Sequence, residues 1–419
     1  MKLISIYKRI SSQSLYVNIA SLGIVQIANY IIPILIIPFV IRALGIEMFG
    51  KASYAQNIVS YLTILVNFGF DYSATQDVAL NRDNAENLRR VFWTVINFKS
   101  VLLLLSFVIL GVLYFASFKV GEDPLLYLYA ALINVGFVFF PNWFFQGMEK
   151  MAKMSLFNFV VKFVGSMLVV LAVSSPADYR LYLLILSLTF VFVGIAAFFY
   201  VLSRFDLGMY ECLLDKTVVG KCIPIFFNTL FASLYTMSGM TILGLYVSDM
   251  ELGIYGGVYK IIMAFVVLAS MPINVAVFPM MSREFDKSRQ CGFRLMKKIA
   301  KVLFPIMLIY CACICWLSPQ IVHLFLGENV DKSVFYLRLF SLLPMLVVFA
   351  SFLTVQGLYG MRLQKYAPWV GGIVGLTSVV GNFIVIPVYG SCGAIAIYVG
   401  AEILEMLLSG MFVLNYISR

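Results

Sequence analysis

Apolar residues in this chain come in long blocks, separated by short turns rich in Gly, Pro and charge. Blocks of roughly 20 apolar residues recur along the whole length, each enough helix to cross a ~30 Å hydrocarbon layer. The pattern predicts twelve spans, over 14–41, 52–70, 92–118, 125–145, 155–174, 181–203, 220–247, 256–280, 300–318, 335–357, 367–388 and 391–416. No soluble domain is inserted between them. The fold class expected is an all-α polytopic membrane protein, its twelve transmembrane helices forming two pseudo-symmetric six-helix lobes, residues 1–208 and 209–419.

An internal echo carries the division into halves. Pro141 to Met151 reads PNWFFQGMEKM and closes the fourth span, while Gln356-Gly357-Leu358 to Met361 closes the tenth. Both put a Gln-Gly pair where a hydrophobic run ends and a basic, polar turn begins. Likewise, Glu47-Met48-Phe49-Gly50 followed by Tyr54 is answered by Met250-Glu251-Leu252-Gly253 followed by Tyr255 and Tyr259. Because six is even, both halves point the same way, related by an axis along the membrane normal. Transporters that rock two bundles about a central cavity use this arrangement.

Composition excludes a soluble globular protein: 62% of residues are apolar and only 12% charged, where a soluble domain carries about 25%. The net charge of +10 matters less than its placement. With the N-terminus inside, 21 of the 30 Lys and Arg residues fall on that side and 6 on the other, so both termini are expected in the cytoplasm. The first span follows a short basic head (Lys2, Lys8, Arg9), lacks a cleavage site and is too long for a signal-peptide core, so it is expected to be retained. Seven cysteines are scattered, and Cys311, Cys313 and Cys315 alternate within one span, pointing different ways. They read as buried, inert thiols with no disulfide framework and no metal site.

Polar residues inside spans are the candidates for function. The first span carries Asn18, Ser21, Gln26 and Asn29 at roughly helical spacing, and the seventh carries Asn228, Thr229, Tyr235, Thr236 and Gly239. For each residue alone, packing between helices is the simpler reading; two equivalent helices sharing the feature favours a water-filled cavity. Pro33, Pro38, Pro224, Pro272 and Pro279 interrupt helices, as fixed kinks or as hinges. Lys162 sits about two turns into the fifth span, Lys99 near the cytoplasmic start of the third, Lys260 just inside the outer end of the eighth, and Arg42 at the outer end of the first. For Lys99 and Arg42, snorkelling to the interface is the simpler reading. Read functionally, the set makes a cationic lining suited to an anionic phosphate headgroup. Glu402 and Glu405 lie near the middle of the twelfth span at i, i+3 spacing. Two carboxylates so close in low dielectric do not both ionise easily, which permits proton coupling; pairing of one with a Lys of another helix is the alternative.

Asp71 and Asp77, with Thr75 and Gln76, form a polar cluster leaving the second span on the cytoplasmic side. His323 is expected in an outer loop, solvated. The Lys/Arg-rich stretch 283–301 reads as an inside loop facing anionic lipid rather than nucleic acid. There is no phosphate-binding Gly-Lys-Ser/Thr loop, zinc-ligand spacing or nucleophile elbow. Hence no cofactor, metal or enzymatic activity is expected.

Three stretches, FGFDYSATQDVA (68–79), PNWFFQGMEKM (141–151) and GAIAIYVGAEILE (393–405), resemble the O-antigen and capsule repeat-unit flippases of bacteria. These form the polysaccharide-transport branch of the multidrug/oligosaccharidyl-lipid/polysaccharide exporter superfamily, and the resemblance runs from the first span to the last. The second Gln-Gly turn departs from the first, lacking the Pro-x-Trp before it and the Glu-Lys after it. The resemblance implies a MATE-like pair of lobes opening alternately to each side of a bacterial inner membrane. It implies a substrate, undecaprenyl-pyrophosphate carrying a short oligosaccharide, moved from the cytoplasmic to the periplasmic leaflet. Polysaccharide polymerase and chain-length proteins are the implied protein partners. On this reading Asn18, Gln26, Asn29, Arg42, Asp71, Lys162, Asn228 and Lys260 would bind substrate, and Glu402 and Glu405 would couple transport to a cation or proton. A pyrophosphate and a hydrated sugar need a polar, positively lined route, while the polyprenyl tail can stay in lipid. Two alternatives stand beside it. A multidrug antiporter of the same fold would prefer carboxylates and aromatic rings. An integral-membrane polymerase or ligase would resemble its relatives in having a large outer loop, whereas the longest outer connection expected here is 319–334.

Overall fold

The computed structural model describes residues 2–205, 207–208, 214–327, 330–361 and 363–417, with side chains described from residue 35 onward except at positions within 151–161 and at 275, 330, 364 and 417. Among the described residues every regular element is helical. In chain order these are α1 (Lys2–Asn67), α2 (Phe70–Leu80), α3 (Ala85–Ala116), α4 (Phe118–Glu122), α5 (Pro124–Ala131), α6 (Ile133–Phe139), α7 (Asn142–Gly147), α8 (Met151–Ala172), α9 (Tyr179–Arg204), α10 (Lys216–Tyr246), α11 (Asp249–Lys287), α12 (Arg289–Phe325), α13 (Val330–Phe340), α14 (Leu343–Ser351) and α15 (Ala367–Ile417). A π-helical segment, Phe352–Tyr359, follows α14.

Among the described residues, eight helical stretches are long and apolar enough to cross a membrane. Large apolar side chains stand exposed along them, Phe115, Ile309, Val388 and Leu414 among them, as a lipid-facing surface requires. The chain is a multi-pass membrane protein.

Some expected boundaries hold and others move, each for a local reason. The first two expected spans, 14–41 and 52–70, both fall in α1, which breaks between them at Gly45 (φ 73°, ψ 159°). Only glycine adopts that backbone without a Cβ clash. The last two, 367–388 and 391–416, likewise fall in α15 and are divided at Gly390 (φ 56°, ψ −134°). Its 51 residues measure about 76 Å, room for two crossings. The basic stretch 283–301 is not a loop. It is the end of α11 and the start of α12, with only Ser288 between them, whose hydroxyl accepts from the Cys291 amide at 3.1 Å and caps α12. His323 is also helical, exposed in the last turn of α12 rather than in a loop.

By internal contacts the chain divides into two compact units: Met1–Ile36 with Leu62–Phe226, and Ile37–Tyr61 with Phe227–Arg419. In the first unit, α2 and α7 form the centre of the core. The buried face of α2 (Phe70, Ala74, Val78) packs on Trp143, Phe144 and Phe145, with Phe92 and Val95 of α3 and Ala197 and Val201 of α9 around them. Gly147 permits this approach, since a Cβ there would lie 2.9 Å from the Thr75 carbonyl oxygen. Arg82 fastens the end of the pair, its Nε 2.6 Å from the Gly147 carbonyl and its Nη2 2.7 Å from the Glu149 carboxylate. The stretches 68–79 and 141–151 are thus one packed body. Ahead of α10, the Asp215 carboxylate accepts from the Thr217 hydroxyl and amide. These bonds, helped by Arg90 at 3.4 Å, hold its carboxyl below the usual carboxylate range.

Candidate functional site

In the second unit, α10, α11, the π-helical segment and α15 bring buried polar side chains together. Glu402 on α15 is only 3% exposed, and Glu405 follows one turn later. The electrostatic neighbours of Glu402 are Tyr235, Tyr259, Tyr398 and Glu405. The rings form a continuous cluster: Tyr259 and Tyr398 are 5.9 Å apart, Tyr235 and Tyr398 6.2 Å, and Phe340 and Tyr398 6.3 Å. Among the described residues neither carboxylate pairs with a Lys or Arg. Glu405 instead faces the Tyr235 hydroxyl and accepts from the Thr354 hydroxyl at 3.3 Å.

Thr354 belongs to the π-helical segment and also lies 3.0 Å from the Ser409 hydroxyl. Two residues further on, Gln356 is fully buried, its amide 2.9 Å from that of Asn274, which in turn meets the Ser351 hydroxyl at 3.1 Å. Gly357 lets the segment approach α15, where a Cβ would come within 2.8 Å of Val413. π-helical turns are uncommon and concentrate at functional sites. The π-helical segment thus carries both signals side by side: Thr354, bonded to Glu405, and Gln356 of the Gln-Gly pair, bonded to Asn274.

Lys260 on α11 is three turns inside its helix and half-buried. Its Nζ reaches Gln56 Oε1 at 3.0 Å and Ser53 Oγ at 3.2 Å, and lies 4.6 Å over the Phe49 ring. Nearby, Asn57 donates to the Thr241 hydroxyl at 2.7 Å and to the Met237 carbonyl at 3.3 Å. Every one of these partners is neutral. Among the described residues Lys260 meets no carboxylate, and the partners of its charge are an amide, a hydroxyl and a ring face.

In the first unit, Lys99 does not snorkel. It is 1% exposed, fourteen residues into α3, and donates to Asn67 Oδ1 at 3.0 Å and to the Phe137 carbonyl at 3.3 Å. Asn67 is the last residue of α1, just before Phe68 (φ 46°) and Gly69 (φ 79°) break the chain ahead of α2, and Phe137 lies on α6. Lys162 on α8 is half-buried and has no hydrogen bond or ion pair among the described residues. Asp71 is half-buried on α2, and Asp77 pairs with Lys221 at 2.6 Å.

The remaining candidates are dispersed. Arg42 is exposed and donates to the Leu324 carbonyl at 3.4 Å. Asn228 is half-buried on α10 and shares no hydrogen bond with the other candidates. Asn18, Gln26 and Asn29 lie on α1, but their side chains fall outside the described residues. The structure thus joins Glu402 to Glu405, and Lys260 to partners that sequence reasoning missed. Gln56 carried the same signal as Asn18, a polar residue in an apolar span. Thr354 stands two positions before the Gln-Gly pair, and Tyr398 one turn before Glu402.

The sequence profile of the family described as "Polysaccharide biosynthesis protein" matches residues 15–285. The "Putative O-antigen transporter" of Escherichia coli (strain K12) is 26% identical over 404 residues, covering 96% of this chain and 97% of that one. A multidrug resistance MATE family transporter of the MOP superfamily, in its inward-facing conformation, superposes with a TM-score of 0.71 at 13% identity over 94% of each chain. The lipid II flippase MurJ, in an inward closed conformation, also superposes at 0.71, with 14% identity over 94% of this chain and 87% of that one. The fold is the one these two transporters share.

Proposed function

This chain belongs to the polysaccharide biosynthesis protein family, and from that premise we propose that it flips a lipid-linked oligosaccharide across a bacterial inner membrane. The substrate is undecaprenyl-pyrophosphate carrying an O-antigen or related repeat unit, moved from the cytoplasmic to the periplasmic leaflet. In this reading the chain crosses twelve times with both termini in the cytoplasm, and lobes 1–208 and 209–419 give alternating access. Polysaccharide polymerase and chain-length proteins then take up the delivered unit. The role is transport, with no covalent chemistry.

Lys260 is the observation that carries this reading. A cation inside a span is costly unless it is paired, and Lys260 has only neutral partners among the described residues. An anionic pyrophosphate supplies the missing charge, and Gln56, Ser53 and Asn57 offer hydrogen bonds suited to phosphate or sugar oxygens. Lys162 offers a second cation of the same kind in the other unit. Glu402 and Glu405, facing hydroxyl groups and rings rather than basic residues, serve as the coupling pair that takes up and releases a proton or cation.

A second reading, export of organic cations, is favoured by that same pair among Tyr235, Tyr259 and Tyr398, since rings and carboxylates attract cations. Reconstitution separates the two. Proteoliposomes holding undecaprenyl-pyrophosphate oligosaccharide should show translocation that Lys260→Gln slows severalfold. Ethidium transport by the wild type, with no movement of the lipid, would establish the second reading instead.

A further inference from the structure

Four basic side chains on α12 play no part in the proposed transport. Arg294, Lys297, Lys298 and Lys301 recur at three- and four-residue spacing, so they share one helix face over about two turns. All four are exposed. Basic residues just before them are already engaged: Arg289 lies 4.1 Å over the Tyr416 ring, and Lys287 pairs with Glu284 at 2.5 Å. Lys297 leans on the Phe293 ring at 4.5 Å. None of the four meets a carboxylate among the described residues. Like charges at this spacing repel and disfavour the helix that displays them.

The same face continues without interruption into lipid. One and two turns beyond Lys301 it presents Pro305, Leu308 (47% exposed) and Ile309 (64% exposed). With 37 residues, α12 is about 55 Å long and outruns a ~30 Å core by several turns. The cationic stripe therefore ends where the apolar stripe begins, which is the depth of phospholipid headgroups.

We propose that Arg294, Lys297, Lys298 and Lys301 form a binding site for anionic phospholipid, with headgroup phosphates along the basic stripe and an acyl chain along Leu308 and Ile309. The continuity of the two stripes selects a lipid, since a nucleic acid or soluble phosphate has no use for the apolar half. The site is independent of what the protein transports.

Native mass spectrometry of the purified protein, titrated with dioleoyl-phosphatidylglycerol or dioleoyl-phosphatidylcholine, tests this directly. The wild type should hold phosphatidylglycerol at least tenfold more tightly. Each neutralised charge should weaken that binding roughly fivefold, so the set Arg294→Gln, Lys297→Gln, Lys298→Gln, Lys301→Gln should abolish the preference and leave phosphatidylcholine binding unchanged. The charge-keeping set Arg294→Lys, Lys297→Arg, Lys298→Arg, Lys301→Arg should retain it. Three outcomes would each overturn the proposal: no preference in the wild type, an undiminished preference in the neutral set, or equal loss in the charge-keeping set. Loss of both lipids from the neutral set also overturns it, because the effect would then not be charge recognition.

Discussion

Gly50 and Gly253 meet backbone to backbone, with no room for a side chain on either. A Cβ on Gly50 would lie 2.6 Å from the Gly253 amide nitrogen, and one on Gly253 would strike the Ile46 carbonyl oxygen. These glycines close the sequences Glu47–Gly50 and Met250–Gly253, so the internal echo is also a contact within one unit. Beside it, Tyr54 packs against Gly244, and Lys51 approaches Asp249 at 3.8 Å.

Because the obstacle is backbone, it cannot swing aside. Gly253→Ala should destabilise the protein by about 1–3 kcal/mol, the usual scale of overpacking, seen as a lowered unfolding midpoint in detergent. Gly400→Ala, at a helical position with nothing within 4 Å of the new Cβ, should be neutral or stabilising by up to ~1 kcal/mol. Equal midpoints for the two variants would show that the crossing is looser than described.

The α2–α7 body makes a second contrast. Glu149 is 73% exposed where it pairs with Arg82, so Glu149→Ala should cost no more than ~1 kcal/mol. Gly147→Ala forces a methyl against Val78 and the Thr75 carbonyl, and should cost about 1–3 kcal/mol. Thermal unfolding of both variants checks the order.

Lys99 should behave as a buried, fully engaged group. Lys99→Met leaves the Asn67 amide oxygen and the Phe137 carbonyl without their donor, at about 1–3 kcal/mol for each such buried acceptor. Replacing both partners, Lys99→Met with Asn67→Leu, should recover part of that loss. A double variant no more stable than Lys99→Met alone would argue against the pairing.

How far the sequence could be read follows from what each signal depends on. Long apolar blocks dictate membrane helices whatever their neighbours, so the all-helical, multi-pass class was legible. So were the breaks at Gly45 and Gly390, which fall in the short gaps expected between spans, beside Arg42 and Glu47 in one case and Pro387 in the other. The sequence makes snorkelling the simpler reading for Lys99 because its acceptors lie 32 and 38 positions away, a distance that helical periodicity does not register. The basic stretch 283–301 reads as a loop because charge outside a membrane marks a connection in either case; the Ser288 cap shows that the helices continue on both sides of it. For Glu402 and Glu405 the spacing was visible, whereas the bond from the π-helical Thr354 to Glu405 was not.

That junction gives a functional prediction. Thr354→Val keeps the shape but removes the hydroxyl shared with Glu405 and Ser409. If the carboxylate pair couples transport, the rate should fall about tenfold, the scale of one hydrogen bond to a charged group, and Thr354→Ser should restore it. Glu402→Gln should likewise slow transport and flatten its dependence on pH. Full activity across pH would remove that carboxylate from the mechanism.

The most direct measurement is the leaflet in which undecaprenyl-pyrophosphate oligosaccharide resides in cells depleted of this protein. The account predicts that single repeat units accumulate facing the cytoplasm and that outer-leaflet units disappear. Repeat units reaching the outer leaflet at their normal level in those cells would contradict it.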